Sequence, residues 1–218
     1  RYMTAMTAKI IENNGTLDKY IGDAQMAFWN APLDDKDHAL NAVKTGLEML
    51  NDLDKFNEEI AKENIPAFGM GLGINTADVV VGNMGSAQRF DYTCLGDGVN
   101  LASRLEGQSK PYGVRIVLGE KTAKYVEDKY SVVEMDTIAV KGKTEGVKVF
   151  TIGETVKYKH DEYLKEYYRG NWDKAIKWAQ ELVDDDKVTI NDYYHKMIER
   201  MDEGLPANWD GVYRATSK

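Results

Sequence analysis

RFDYTCLGDGVNLASRLEG, Arg89 to Gly107, ends in a helix that carries Asn100 and Arg104 one helical turn apart. Residues i and i+4 share a helical face, so an amide and a guanidinium point the same way beside the apolar Leu101 and Leu105. A glycine turn, Gly96 to Gly98, feeds this helix and leaves its first amides and positive dipole end near the same spot. The pattern is that of an anion-handling face, although an ordinary amphipathic surface helix shares it. Working outward, TLDKYIGDAQMAFW (Thr16 to Trp29) reads as two short strands around a Gly22-Asp23 turn, which puts a carboxylate at a hairpin tip. GLGINTADVVVGNMG (Gly71 to Gly85) reads as another strand pair. AVKGKTEGVKVFTI (Ala139 to Ile152) reads as a lysine- and glycine-punctuated loop followed by a strand.

The remaining periodicities complete the outline. Tyr2 to Asn14 reads as a helix, Asp35 to Asn64 as a long amphipathic helix, and Phe68 to Asn75 and Asp78 to Asn83 as strands. After Pro111, VRIVLG, EKTAKYVED, SVVEMDTIAV and GVKVFTIG alternate strand, helix, strand, strand. Helices interleaved with hairpins predict an α+β fold with helices against a mainly antiparallel sheet.

Four motifs, KYIGDA, INT-DVVVGN-GS, DYT-LGD-VNLASRLE and VKGK, stand in an order and spacing that resemble the catalytic domain of a bacterial class III adenylate/guanylate cyclase. The resemblance runs from about Tyr2 to about Gly153. It implies a ferredoxin-like core and a head-to-tail homodimer with its sites at the interface. The implied activity is conversion of ATP to 3',5'-cyclic AMP and pyrophosphate, with two Mg2+ or Mn2+ ions per site. A guanylate cyclase and a catalytically silent nucleotide-binding regulatory domain are the alternatives. By the same resemblance Lys19 takes part in purine recognition, Asp23 ligates metal, Asn100 orients the ribose, Arg104 stabilises charge at the reacting phosphate, and Lys141 holds the terminal phosphates. Thr93 occupies the position where bacterial adenylyl cyclases carry threonine, so Lys19 with Thr93 implies adenine over guanine; Cys94 lies one place off the guanylyl position.

The residue types suit that chemistry. In-line attack of the ribose 3'-hydroxyl on the α-phosphate requires geometry and charge neutralisation more than covalent help. Asp23 offers the hard oxygen that Mg2+ or Mn2+ takes. Arg104 offers planar donors to phosphate oxygens, a contribution of a few kcal/mol where charge develops. The resemblance also implies a further metal aspartate on a strand before the first helix. No residue here takes that role, and the chain, which opens inside that helix, reads as an N-terminally truncated piece.

Composition sets outer bounds. The 218 residues, 43% hydrophobic, have room for a large domain, 1–153, and a smaller helical one, 154–218. A net charge of −8 offers no basic field for nucleic acid, so a nucleotide would be held by local cations. The single cysteine, Cys94, permits no internal disulfide and suits a reducing compartment. His38, His160 and His195 lack metal-ligand spacing. No window has the run of about 18 apolar residues that a membrane helix needs. Beyond Glu154 the texture changes to three polar-aromatic helices. Tyr163, Tyr167, Trp172, Ala175 and Ile176 resemble part of one tetratricopeptide unit, too little for a solenoid. This tail is similar to those of bacterial cyclases with a CHASE-type sensor and membrane helices upstream. That implies the cytoplasmic output end of an inner-membrane receptor.

Overall fold

The computed structural model describes residues 1–139 and 146–214. Helix α1 (Tyr2–Glu12) leads into the hairpin β1 (Thr16–Ile21) and β2 (Ala24–Phe28), followed by the long helix α2 (His38–Ala61). Then come β3 (Leu72–Ile74), β4 (Val80–Ser86), β5 (Arg89–Leu95), α3 (Asp97–Glu106), β6 (Ile116–Gly119), α4 (Glu120–Val126), β7 (Val132–Ala139) and β8 (Gly146–Ile152). Three helices close the chain: α5 (Lys157–Tyr168), α6 (Trp172–Val183) and α7 (Asn191–Asp202).

The central sheet has the order β3-β6-β8-β7, with β3 parallel to β6 and the other pairs antiparallel. The β1–β2 and β4–β5 hairpins form two-stranded sheets of their own. The fold is therefore α+β and mainly antiparallel, as the sequence predicts. One expectation is corrected. Gly71 to Gly85 does hold two strands, but they do not pair with each other. β3 aligns Leu72, Gly73 and Ile74 with Ile116, Val117 and Leu118, whereas β4 runs in full register with β5. Between them Thr76 hydrogen-bonds Thr122 at 2.9 Å, which ties the connection to α4. The short apolar β3 gains more by joining the buried β6 than by extending a hairpin whose outer face meets solvent.

Alternation along β6 divides the core. Ile116 and Leu118 face α2, packing with Ala39, Val43 and Leu50, while Val117 faces the opposite layer. Helix α1 adds Met6 and Ile10 against Met49 and Leu53 of α2. The opposite layer is the largest cluster. It joins Leu101 and Leu105 of α3 and Met135 of β7 to Tyr163, Trp172, Tyr193 and Met197 of the last three helices. The register of β7 against β8 shifts between Glu134 and Asp136, and this bulge turns Met135 and Asp136 inward together.

Asp136 is fully buried. Its Oδ2 accepts from Tyr112 Oη at 2.6 Å, Tyr167 Oη at 3.1 Å and Arg200 Nη1 at 2.7 Å. The Arg200 guanidinium lies over the Tyr112 ring at 4.5 Å and the Tyr213 ring at 3.7 Å. Burial pushes the Asp136 carboxyl up to about 6, against the lowering effect of Arg200 and the phenols. Nearby, His160 Nε2 donates to the Glu134 carbonyl and Nδ1 accepts from Tyr194 Oη, both at 2.8 Å. Burial lowers His160 to about 4 and keeps it neutral. The chain then returns to the sheet. Ala139 N donates to Tyr213 O at 2.9 Å and Tyr213 N to Thr137 O at 2.8 Å, along the free edge of β7.

Candidate active site

The site begins at the β1–β2 hairpin. Its Gly22-Asp23 turn leaves the Asp23 carboxylate exposed at the tip, and Lys19 lies on β1 with its side chain half exposed. Thr93 lies on β5 opposite Gly82 and is buried. Asp18 joins the two: its Oδ2 accepts the Thr93 hydroxyl proton and its Oδ1 lies 3.2 Å from Lys19 Nζ. The adjacent Cys94 is buried, and burial first, then the Asp18 charge, pushes its thiol up.

Helix α3 supplies the other part. Gly96 at its N-cap has φ 152° and ψ 167°, a region that only glycine adopts freely. From there α3 buries Leu101 and Leu105 and presents Asn100 and Arg104 to solvent, as the helical spacing predicts. Its position is set by backbone contact with β3. A Cβ on Gly73 would stand 2.2 Å from both the Ala102 carbonyl oxygen and the Glu106 nitrogen. Asn75 Nδ2 donates to the Gly98 carbonyl at 3.0 Å and anchors the first turn.

Lys19 and Thr93 thus meet through Asp18, and Asn100 and Arg104 share one face of α3. Among the described residues, no hydrogen bond or ion pair links Asn100 or Arg104 to Lys19, Asp23 or Thr93. Lys141 lies outside the described residues. Sequence reasoning missed Asp18 and Asn75. Asp18 precedes Lys19 directly, and simple strand alternation assigns neighbours to opposite faces. The only available signal for Asn75 was its place in the INT motif. Among the described residues no grouping of three or more His, Cys, Asp or Glu side chains could hold a metal ion. Asp23 fits a hard cation as a single carboxylate ligand, a mode in which Mg2+ relies on substrate phosphates and water for the rest of its shell.

A helix-backed mixed sheet with two outlying hairpins defines an α+β domain. Residues 5–154 match the family model described as the adenylate and guanylate cyclase catalytic domain, and the chain belongs to that family. It is 37% identical over 158 residues to an adenylate cyclase of Anabaena cylindrica, covering 69% of this chain and 30% of that one. Among solved structures it is similar to the adenylyl cyclase CyaB from P. aeruginosa (30% identity, TM-score 0.64, covering 69% of this chain and 78% of that one). It is also similar to the guanylyl cyclase Cya2 (32% identity, TM-score 0.63, covering 69% and 76%). The chain spans 10% to 30% of the length of the curated relatives it matches. Among the described residues no helix is long and apolar enough to cross a membrane.

Proposed function

We propose that this chain carries the catalytic domain of an adenylate cyclase, which converts ATP to 3',5'-cyclic AMP and pyrophosphate. The observation that carries the choice of base is the joining of Lys19 and Thr93 through one carboxylate. An ammonium donor beside a hydroxyl whose proton is already committed complements adenine, whose N1 accepts and whose N6 amino group donates. In this reading Asn100 fixes the ribose and Arg104 binds phosphate oxygens as negative charge builds on them. Lys141 neutralises the terminal phosphates. A divalent cation held by Asp23 would supply Lewis-acid charge next to the phosphates. The protein side chains orient the 3'-hydroxyl for in-line displacement.

In this reading the site is completed between two copies, with the hairpin of one facing α3 of the other. Exposed apolar side chains on the hairpins, Ile21, Val80, Phe90 and Leu95, give such a homodimer surface to bury. The test is product formation by the purified chain from ATP and from GTP with Mn2+ present. Cyclic AMP in excess over cyclic GMP supports the reading. Cyclic GMP in excess overturns the adenylate assignment, and nucleotide binding with no product marks a silent regulatory domain.

A further inference from the structure

The β1–β2 hairpin is irregular at one place. Leu17 pairs with Ala27 and Lys19 with Met26, so Asp18 is an extra residue opposite no partner. Such a bulge bends the strand and re-aims the inserted side chain. Here it turns the Asp18 carboxylate fully inward while its neighbour Lys19 stays half exposed. The two oxygens then meet different partners. Oδ2 receives the Thr93 hydroxyl proton. Oδ1 faces the Lys19 ammonium at 3.2 Å without hydrogen-bond alignment, and it is otherwise buried with no donor. A buried carboxylate oxygen with no aligned donor is costly in a hairpin, and nothing in the packing of β1 against β2 requires an acid there.

A threonine hydroxyl is ambivalent, able to donate one proton or to accept. Once its proton is given to Asp18, its remaining lone pairs can only accept. We propose that Asp18 is a positioning residue that sets base specificity by fixing Thr93 as an acceptor while it holds the Lys19 ammonium, a donor, beside it. This inference rests on the reading of Lys19 and Thr93 as the base-contacting pair. The pattern matches the edge of adenine and opposes that of guanine, which offers a carbonyl at position 6 and an N–H at position 1. Asp18 does not itself touch the base.

The conservative change Asp18→Asn reverses the pattern. The Lys19 ammonium requires an oxygen on its side of the amide, so the amide NH2 faces Thr93 Oγ1 and donates to it. The hydroxyl proton is then free to point toward the base, where it suits the guanine carbonyl. The experiment measures displacement of methylanthraniloyl-ATP from the full chain by ATP and by GTP, in the wild type, Asp18→Asn, Thr93→Val and the double variant. The expected result is that the ATP-over-GTP preference falls about tenfold in Asp18→Asn, the range over which one misdirected hydrogen bond discriminates bases. Because Asp18 acts through Thr93, the double variant loses no more preference than Thr93→Val alone. A wild type with no preference for ATP overturns the base-reading pair and this inference with it. A wild type that prefers ATP and loses the preference on Thr93→Val but keeps it on Asp18→Asn overturns the role of Asp18 alone. Equal weakening of both nucleotides by Asp18→Asn also overturns it, since a purely structural carboxylate would do that. If Asp18→Asn does not fold, Asp18→Ala carries the same comparison, because it too frees the Thr93 proton.

Discussion

His160 shows how a single buried ring makes stability depend on pH. Both nitrogens are satisfied only in the neutral form with the proton on Nε2, since the Glu134 carbonyl can only accept. Its value in the folded chain is lowered to about 4 from an ordinary 6.5. The stability tied to the neutral ring is therefore complete above pH 6.5 and is lost as the pH falls from there toward 4, because the unfolded chain binds the proton first. The full loss is roughly 3 kcal/mol. Asp136 acts in the opposite sense. Its carboxyl is raised to about 6, so its protonated form favours the folded chain below that pH and its contribution is lost as the pH rises through 6. Urea unfolding of wild type and His160→Gln between pH 7.5 and 4.5 separates the two. The gap between the proteins is expected to narrow as the pH falls, and a constant gap would show that His160 does not titrate in this window.

At the scale of elements, the contact between β3 and α3 governs where Asn100 and Arg104 stand. Gly73→Ala forces its methyl into the helix backbone at Ala102 and Glu106, so α3 must move outward. Overpacking of this kind costs about 1–3 kcal/mol. A displacement near 1 Å at the α3 face lowers turnover about 10²-fold. The check is cyclic-nucleotide formation alongside a thermal melt, and a variant with wild-type turnover would remove β3 as the determinant of α3 placement. The sequence made the helices and hairpins legible because each carries its own period. Thr16 to Phe28 has a turn signal at Gly22-Asp23, and α3 keeps Leu101 and Leu105 on one side. Partner choice was not legible. β3 pairs with a strand more than forty residues later, and no local pattern distinguishes that from pairing with adjacent β4. Of the candidate residues, Asn100 and Arg104 keep the shared face that their spacing gives, while Asp18 was hidden because a bulge breaks the alternation by which strands are read.

The whole molecule is held by a joint that spans the chain. Arg200 on α7 meets Asp136 on β7 and Tyr112 after α3, and the cluster around them mixes the sheet with the last three helices. Replacing one partner of a buried pair leaves the other charge uncompensated, at a cost of about 3–5 kcal/mol. Arg200→Met is expected to lower the unfolding free energy obtained from urea titration by that amount. Trp29 beside α1 and Trp172 on α6 should still report one shared transition, because α2 packs both Met49 and Leu53 near Trp29 and Val43 against β6, whose Val117 faces the layer of Trp172. Two separated transitions would show that residues 154–218 fold apart from the sheet. The three terminal helices were legible in the sequence from their texture, but the joint was not, since Asp136 and Arg200 are distant in sequence and each reads alone as an ordinary surface charge.

The return of the chain at Tyr213 carries one more consequence. β7 is one of the two outer strands of the four-stranded sheet, and an outer strand displays unpaired amides and carbonyls to any extended segment that drifts past. Tyr213 occupies the bonding groups of Thr137 and Ala139 from within the same molecule. Clipping the chain before this residue would uncover that edge and offer it to a neighbouring copy, so this return of the chain protects the protein against strand-to-strand self-association.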